Sequence, residues 1–364
     1  MKNEATHRYR YRFPRSHFRL ATRWFLYMGC LALALPGVAT AQFDQVYPLR
    51  GAPLNGEVVG STKTSVTIKV QGSDRELPVN EVRRVAFKED PPELKQARSR
   101  VETGNFQAAL DDLKKINVST VVRPEIRQDL QFHLALCEGK LALSSGGDQS
   151  KAAGAMFAFV RAAPDSYHFF AAAETLGDLA VALGKPAEAT KYYGAIASLA
   201  PWPEYKMHGA MLEARALLAQ NNFAEAQKKF ESIASASASS PEINRQKLLA
   251  EVGKARCLVE TGSADAALKA IQQVIGENDE SDSELFGRAY NALGACYLKL
   301  NKPKEALMAF LHSDVLFHAI PEIHAEALYH LSKLWEQAKN PDRAVAAKNL
   351  LVDRYAGSRW ASME

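Results

Sequence analysis

Cysteine is scarce: four in 364 residues, at positions 30, 137, 257 and 296, with no Cys-x-x-Cys pair. That excludes a disulfide framework and a thiolate metal cage. H-E-x-x-H, G-x-S-x-G and the phosphate-binding G-x-x-x-x-G-K are also missing, so no catalytic chemistry is legible and no metal or cofactor is expected. Past residue 41 no stretch approaches 18 uninterrupted apolar residues, so no later membrane span is expected. The excess of positive charge is local. Lys2 and six arginines (Arg8, Arg10, Arg12, Arg15, Arg19, Arg23) face only Glu4 in residues 1–41. Taking those seven and one from totals of 45 and 41 leaves 38 basic against 40 acidic residues. The chain beyond is slightly acidic, and a nucleic-acid partner is not expected.

Residues 1–41 carry the pattern of an export signal. A basic stretch runs to Arg23, Trp24–Val38 (WFLYMGCLALALPGV) is apolar, and Ala39-Thr40-Ala41 offers a small-x-small cleavage site. Fifteen helical residues would span only about 22 Å of a roughly 30 Å hydrocarbon core, which favours cleavage over a retained anchor. Both readings stand, as does a weaker lipoprotein reading of Cys30. The expected location is outside the cytoplasm, in the periplasm or cell envelope, touching membrane only through that segment.

Three segments follow from the patterning: residues 1–41, a small β domain over 42–90, and helical repeats over 91–364. From Val46 to Phe87 the hydrophobic period is two. EVV (57–59), SVTIKV (65–70), ELPV (76–79) and VRRVAF (82–87) predict four or five short strands. Gly51, Asn55-Gly56, Gly60 and Gly72-Ser73-Asp74 are expected to separate them. The pattern is similar to small SH3-like or Sm-like barrels. So short a domain is expected to cap the helices that follow or to pair with a second copy.

After Asp90-Pro91-Pro92 the pattern is helical and it repeats. Small residues recur at Ala109, Ala153, Ala189, Ala226, Ala267, Ala306 and Ala344. Twelve residues before most of them lies another: Ala97, Gly177, Ala214, Ala255, Gly294 and Ser332. Four residues after comes a bulky one: Leu113, Phe157, Tyr193, Phe230, Ile271 and Phe310. Two small residues let a pair of antiparallel helices approach closely, and the bulky one fills the gap to the next pair. No single hairpin buries its own apolar face, so the array is stable only as a stack. LGACYLKLNKPKEALMAF (Leu293–Phe310) resembles a tetratricopeptide repeat, with Leu293, Gly294, Tyr297, Ala306 and Phe310 at its signature positions. LGDLAVALGKPAEATKYY (Leu176–Tyr193) and the units at 214–230 and 255–271 also fit; the unit around Ala153 departs most. The resemblance implies a mainly α fold, an α-solenoid of six or seven hairpins.

In that family the first helix of each unit lines an inner groove that holds peptides or partner helices. The residue after each small one is expected there: Asp178, Arg215, Arg256, Ala295 and Lys333. Glu174, His208, Met211, Arg288, Asn291, Lys299 and Tyr329 join them. The later half then forms a loose basic track suited to an acidic segment. His312, His318, His324 and His330 are spaced by six, which turns neighbours about 120° apart on a helix and argues against one metal site. GENDESDSE (276–284) reads as a solvated connector, and the downstream cysteines as buried thiols. Together these readings describe an exported, non-enzymatic adaptor for a protein or peptide partner. A self-associating structural envelope protein and an accessory subunit of a cell-wall enzyme remain alternatives.

Overall fold

The computed structural model describes residues 43–237 and 239–363; the export pattern and Cys30 lie outside them. β1 (Asp44–Pro48), β2 (Leu54–Ser61), β3 (Ser65–Val70), β4 (Ser73–Pro78) and β5 (Val82–Ala86) form one antiparallel sheet. Its strand order is β4-β3-β2-β1-β5. Asn55-Gly56 and Gly60 were expected between strands but lie inside β2. There Gly56 is needed for close approach, since a Cβ would stand 2.1 Å from the Lys69 carbonyl oxygen.

The sheet has no core of its own. Val46, Val58, Val66, Ile68, Val85 and Phe87 share one apolar cluster with Leu94, Ala97, Leu113 and Leu130. These come from α1 (Pro92–Glu102), α2 (Phe106–Leu113) and α3 (Pro124–Ser145). A module this small gains much of its buried area from that shared contact.

The remaining helices are α4 (Gln149–Ala162), α5 (Phe169–Ala182), α6 (Pro186–Leu199), α7 (Pro203–Ala219), α8 (Phe223–Ala234) and α9 (Pro241–Glu260). They continue with α10 (Ala264–Glu277), α11 (Ser283–Lys299), α12 (Pro303–Leu316), α13 (Pro321–Gln337) and α14 (Pro341–Tyr355). Fourteen described helices make seven hairpins. Odd-numbered helices pack on their hairpin partners and on the next odd helix, forming the inner layer of a solenoid.

The small-residue register is what brings the hairpins together. Ala97, Ala109, Ala189, Ala214, Ala226, Ala255, Ala267 and Ala306 are each wholly enclosed. A Cβ on Gly177 would sit within 2.2–2.7 Å of the Tyr193 ring, and one on Gly294 within 2.5–2.8 Å of the Phe310 ring. The second and last hairpins depart from the expected register. Ala153 is half-buried and Phe157 is 46% exposed, while Ala152 and Met156 face inward instead. Ala152 is the fourth residue of α4, the position that Ala189, Ala226, Ala267 and Ala306 hold in their helices. In α14 the inward pair is Ala347 and Leu351 rather than Ala344 and its successor.

The solenoid curves tightly enough to meet itself. Past α14 the chain lies against the α3–α4 turn. Gln149 Nε2 donates to the Gly357 carbonyl at 2.9 Å, and a Cβ on Gly357 would reach within 2.3 Å of the Ala142 oxygen. The seventh hairpin therefore rests on the second.

Candidate functional site

Five odd helices converge on the inner wall. Arg215 of α7 bonds Glu284 of α11 at 3.2 Å, and Arg256 of α9 bonds Glu326 of α13 at 3.0 Å. Both pairs skip a helix. In a flat row, helices two apart would stand about 16–20 Å away from each other, beyond an arginine–glutamate reach. Only strong curvature closes that distance.

Glu284 is the centre of the network, taking Arg215, Arg245 and Arg288 together. Arg245 also bonds Asp282, and Arg288 reaches Glu322 at 2.7 Å. Burial works against the Glu284 charge, but Arg215 and Arg288 prevail and hold its carboxyl down at about 2. Burial, with Arg288 beside it, pulls the Arg215 guanidinium down to about 10. Toward α5, His208 pairs with Glu174 at 3.0 Å, and that bond raises the imidazole above its ordinary range against the effect of burial. Asp178 accepts from the Tyr193 hydroxyl at 2.9 Å and from Lys140 at 3.3 Å. Burial still pushes its carboxyl up to about 6, with Glu174 and Glu322 acting in the same direction against Lys140.

The residues expected in a groove thus have different fates. Asp178, His208, Arg215, Arg256 and Arg288 stand on the inner wall, each bonded to the fold itself. Met211 is 1% exposed in the core, because α7 turns that face toward α9, and it lines no open surface. Ala295 is likewise buried. Asn291 is 2% exposed; its Nδ2 donates to the Ile323 carbonyl and Glu326, and its Oδ1 has no partner. Lys299 and Lys333 are exposed and make no ion pair among the described residues, while Tyr329 is half-buried with Lys333 Nζ 5.9 Å from its ring centre. The basic track is therefore largely neutralised from within.

The carboxylates that do this were missed in the sequence, Asp282 and Glu284 being read as a solvated connector. A signal was present. Pro-Glu opens α1, α3, α7, α9 and α13, and Ser-Glu opens α11. A glutamate in the first turn suits the helix dipole, and four of these six also bind distant groups. Glu284 and Glu322 hold the inner wall; Glu204 takes Asn80, and Glu242 takes Arg50, from the turns between strands.

A second cluster joins α1, α3 and the turn before α5. Asp129, His133 and His168 bring three ligand-type atoms within 4.8 Å of one another. Yet Asp129 already accepts from Arg98, the Tyr167 hydroxyl and His168 Nε2. Burial lowers the His168 imidazole to about 4, so it stays neutral and donates. Arg98, 3% exposed and bridging Asp90 and Asp129, already supplies the cation there. The arrangement is a hydrogen-bonded hub. The four evenly spaced histidines scatter: His312 stacks on Tyr290, His324 lies between Asp314 and Tyr355, His330 stacks on Phe310, and His318 meets the Val315 carbonyl. Cys137, Cys257 and Cys296 are buried free thiols, pushed by that burial up to about 12, 11 and 11.

Residues 252–313, from α9 through most of α12, match the tetratricopeptide repeat family. No curated protein matches the chain in sequence. Among solved structures, a tetratricopeptide repeat protein from Parabacteroides merdae ATCC 43184 is similar at TM-score 0.50 and 16% identity, covering 71% of this chain and 90% of that one. The apo quorum sensor NprR from B. thuringiensis follows at TM-score 0.47 and 11% identity, covering 72% and 86%.

Proposed function

We propose that this chain, whose hairpins have the tetratricopeptide-repeat fold, is a non-enzymatic scaffold that holds a protein segment along its curved inner wall. The observation that carries this reading is the convergence of side chains from α5, α7, α9, α11 and α13 on one inner wall. The buried thiols and the Asp129 hub, where chemistry would otherwise be sought, are occupied by packing and pairing. An acidic segment would have to displace Glu284, Glu322 and Glu326 from arginines they already hold. A segment carrying both signs of charge exchanges pairs at lower cost, since no buried ion is left alone. Lys299, Tyr329 and Lys333 give it an accessible starting edge. The setting we propose is the cell envelope, on the strength of residues 1–41.

In-cell crosslinking of the tagged chain, with mass-spectrometric mapping, tests this. Recurrent crosslinks from Lys299 or Lys333 to one foreign protein are expected. Exchanging the Arg256–Glu326 pair (Arg256→Glu with Glu326→Arg) keeps the ion pair and should weaken that capture. Undiminished capture by the exchanged variant would remove the inner wall from the account.

A second reading, self-association, has its own observation. Met308, Val315 and Leu316 on α12 and Val345 and Val352 on α14 are each 46–63% exposed. Crosslinks running only between copies, with size rising with concentration in light scattering, would favour it.

A further inference from the structure

A cleft of about 230 Å³ lies where the sheet meets the first helix, lined by Gln45, Tyr47, Arg84, Lys95, Arg98 and Ser99, with Ala86 and Phe87. At about 30 Å³ per water in the liquid, that is room for roughly seven waters, or for one small molecule. Its polar groups are unequally spent. Gln45 Oε1 accepts from the Tyr47 hydroxyl at 2.6 Å, and Gln45 Nε2 donates to Asn55 at 2.8 Å. The Arg98 guanidinium turns away to Asp90 and Asp129. Arg84 lies 4.2 Å over the Tyr47 ring, and only its Nη1 reaches Glu102, at 3.3–3.4 Å. Its Nε and Nη2 hydrogens, the Lys95 ammonium and the Ser99 hydroxyl remain.

What is left over is almost wholly donor in character, and no carboxylate lines the cleft. Elsewhere this chain pairs its half-buried arginines closely: Arg123 with Asp44, Arg245 with Asp282, Arg288 with Glu322. Lys95 has no ion pair among the described residues, and Lys95 and Ser99 lie one turn apart on the same face of α1, opposite Arg84 on β5. We propose that this cleft binds a small ligand through an oxyanion group, a phosphate or a carboxylate, held by Lys95, Arg84 and Ser99 beside the Tyr47 ring. A planar guanidinium already stacked on an aromatic ring is pre-oriented to take two oxygens at once. The ligand would touch both the sheet and α1, and so would tighten the seam on which the sheet's stability depends.

Inorganic phosphate and, in a separate arm, acetate are titrated into the full chain by calorimetry at constant ionic strength. Saturable binding of one or both is expected, weakened at least tenfold by Lys95→Glu. That residue is exposed, so folding should be unaffected, and circular dichroism checks this. Arg84→Gln should weaken it likewise. Phosphate binding without acetate binding points to a phosphorylated ligand, and the reverse to a carboxylate. A response that does not saturate, or one that Lys95→Glu leaves unchanged, overturns the proposal.

Discussion

Replacing Gly294 with alanine sets two effects of opposite sign against each other. In an unconstrained helix interior the change stabilises by about 1 kcal/mol, because alanine has the higher helix propensity. Here the new methyl would stand 2.5 Å from Phe310 Cε2, 2.6 Å from Cζ and 2.8 Å from Cδ2. Carbon atoms pack at about 3.5–4.0 Å, so the ring would have to retreat by roughly 1 Å. It has nowhere to go: Phe310 is fully buried and stacks on His330 of the next hairpin at 4.4 Å. Overpacking of this kind costs about 1–3 kcal/mol, so the sum should lie between no gain and a net loss of roughly 2 kcal/mol. Urea denaturation gives the total, and hydrogen exchange over α11–α13 locates it. In a Phe310→Leu background the clash is relieved, and the same Gly294→Ala change should turn neutral or stabilising. If Gly294→Ala stabilises the otherwise unaltered chain by about 1 kcal/mol, the close-approach explanation of the small-residue register is wrong.

Arg98→Met should cost about 3–5 kcal/mol, because it leaves Asp90 and Asp129 buried without a counter-ion; denaturant midpoints of the variant and of Tyr167→Phe, expected to lose only about 1 kcal/mol, test the ranking. Gly357→Val should undock the C-terminal end from Ala142 and raise hydrogen exchange at 142–149 and 355–360, leaving the sheet protected. Asp178→Asn addresses a carboxyl whose pKa is raised to about 6 on folding, so the native residue destabilises progressively as pH climbs from about 4 through 6. The variant should therefore be the more stable at pH 7 and indistinguishable below pH 4, by thermal melts at both. Glu284 has the opposite sign, held at about 2: its contribution is present above about pH 4.5 and is lost as pH falls through 2, so Glu284→Gln should flatten the acid limb of the stability profile.

The repeat was legible because steric demand writes a period into the sequence. Close helix approach needs a small residue, and Gly177 and Gly294 could not be larger without meeting a ring. The register slipped at Ala153 because small residues fill 152–155 alike, and composition does not tell which of them is buried; it is Ala152, the fourth residue of α4. The charged inner wall was half legible. Arg215 and Arg256 were found by counting from small residues and Arg288 as an adjacent candidate, but their partners were not. Which glutamate meets which arginine depends on the curvature of the whole solenoid, and Arg215 and Glu284 are 69 residues apart. The first-turn glutamates carried the clue, yet a glutamate there is already accounted for by helix capping. The hub around Asp129 left no local pattern, since it draws on α1, α3 and the turn before α5.

The contact between Gly357 and the α3–α4 turn changes what kind of object a repeat protein is. An open array behaves as a one-dimensional chain of nearest neighbours, and its end units fray first. Joining the seventh unit to the second turns most of that line into a loop, so the last hairpin is no longer a free end. Unfolding it means breaking two interfaces rather than one, which should make the hairpins from second to seventh melt as one cooperative block instead of peeling away in sequence.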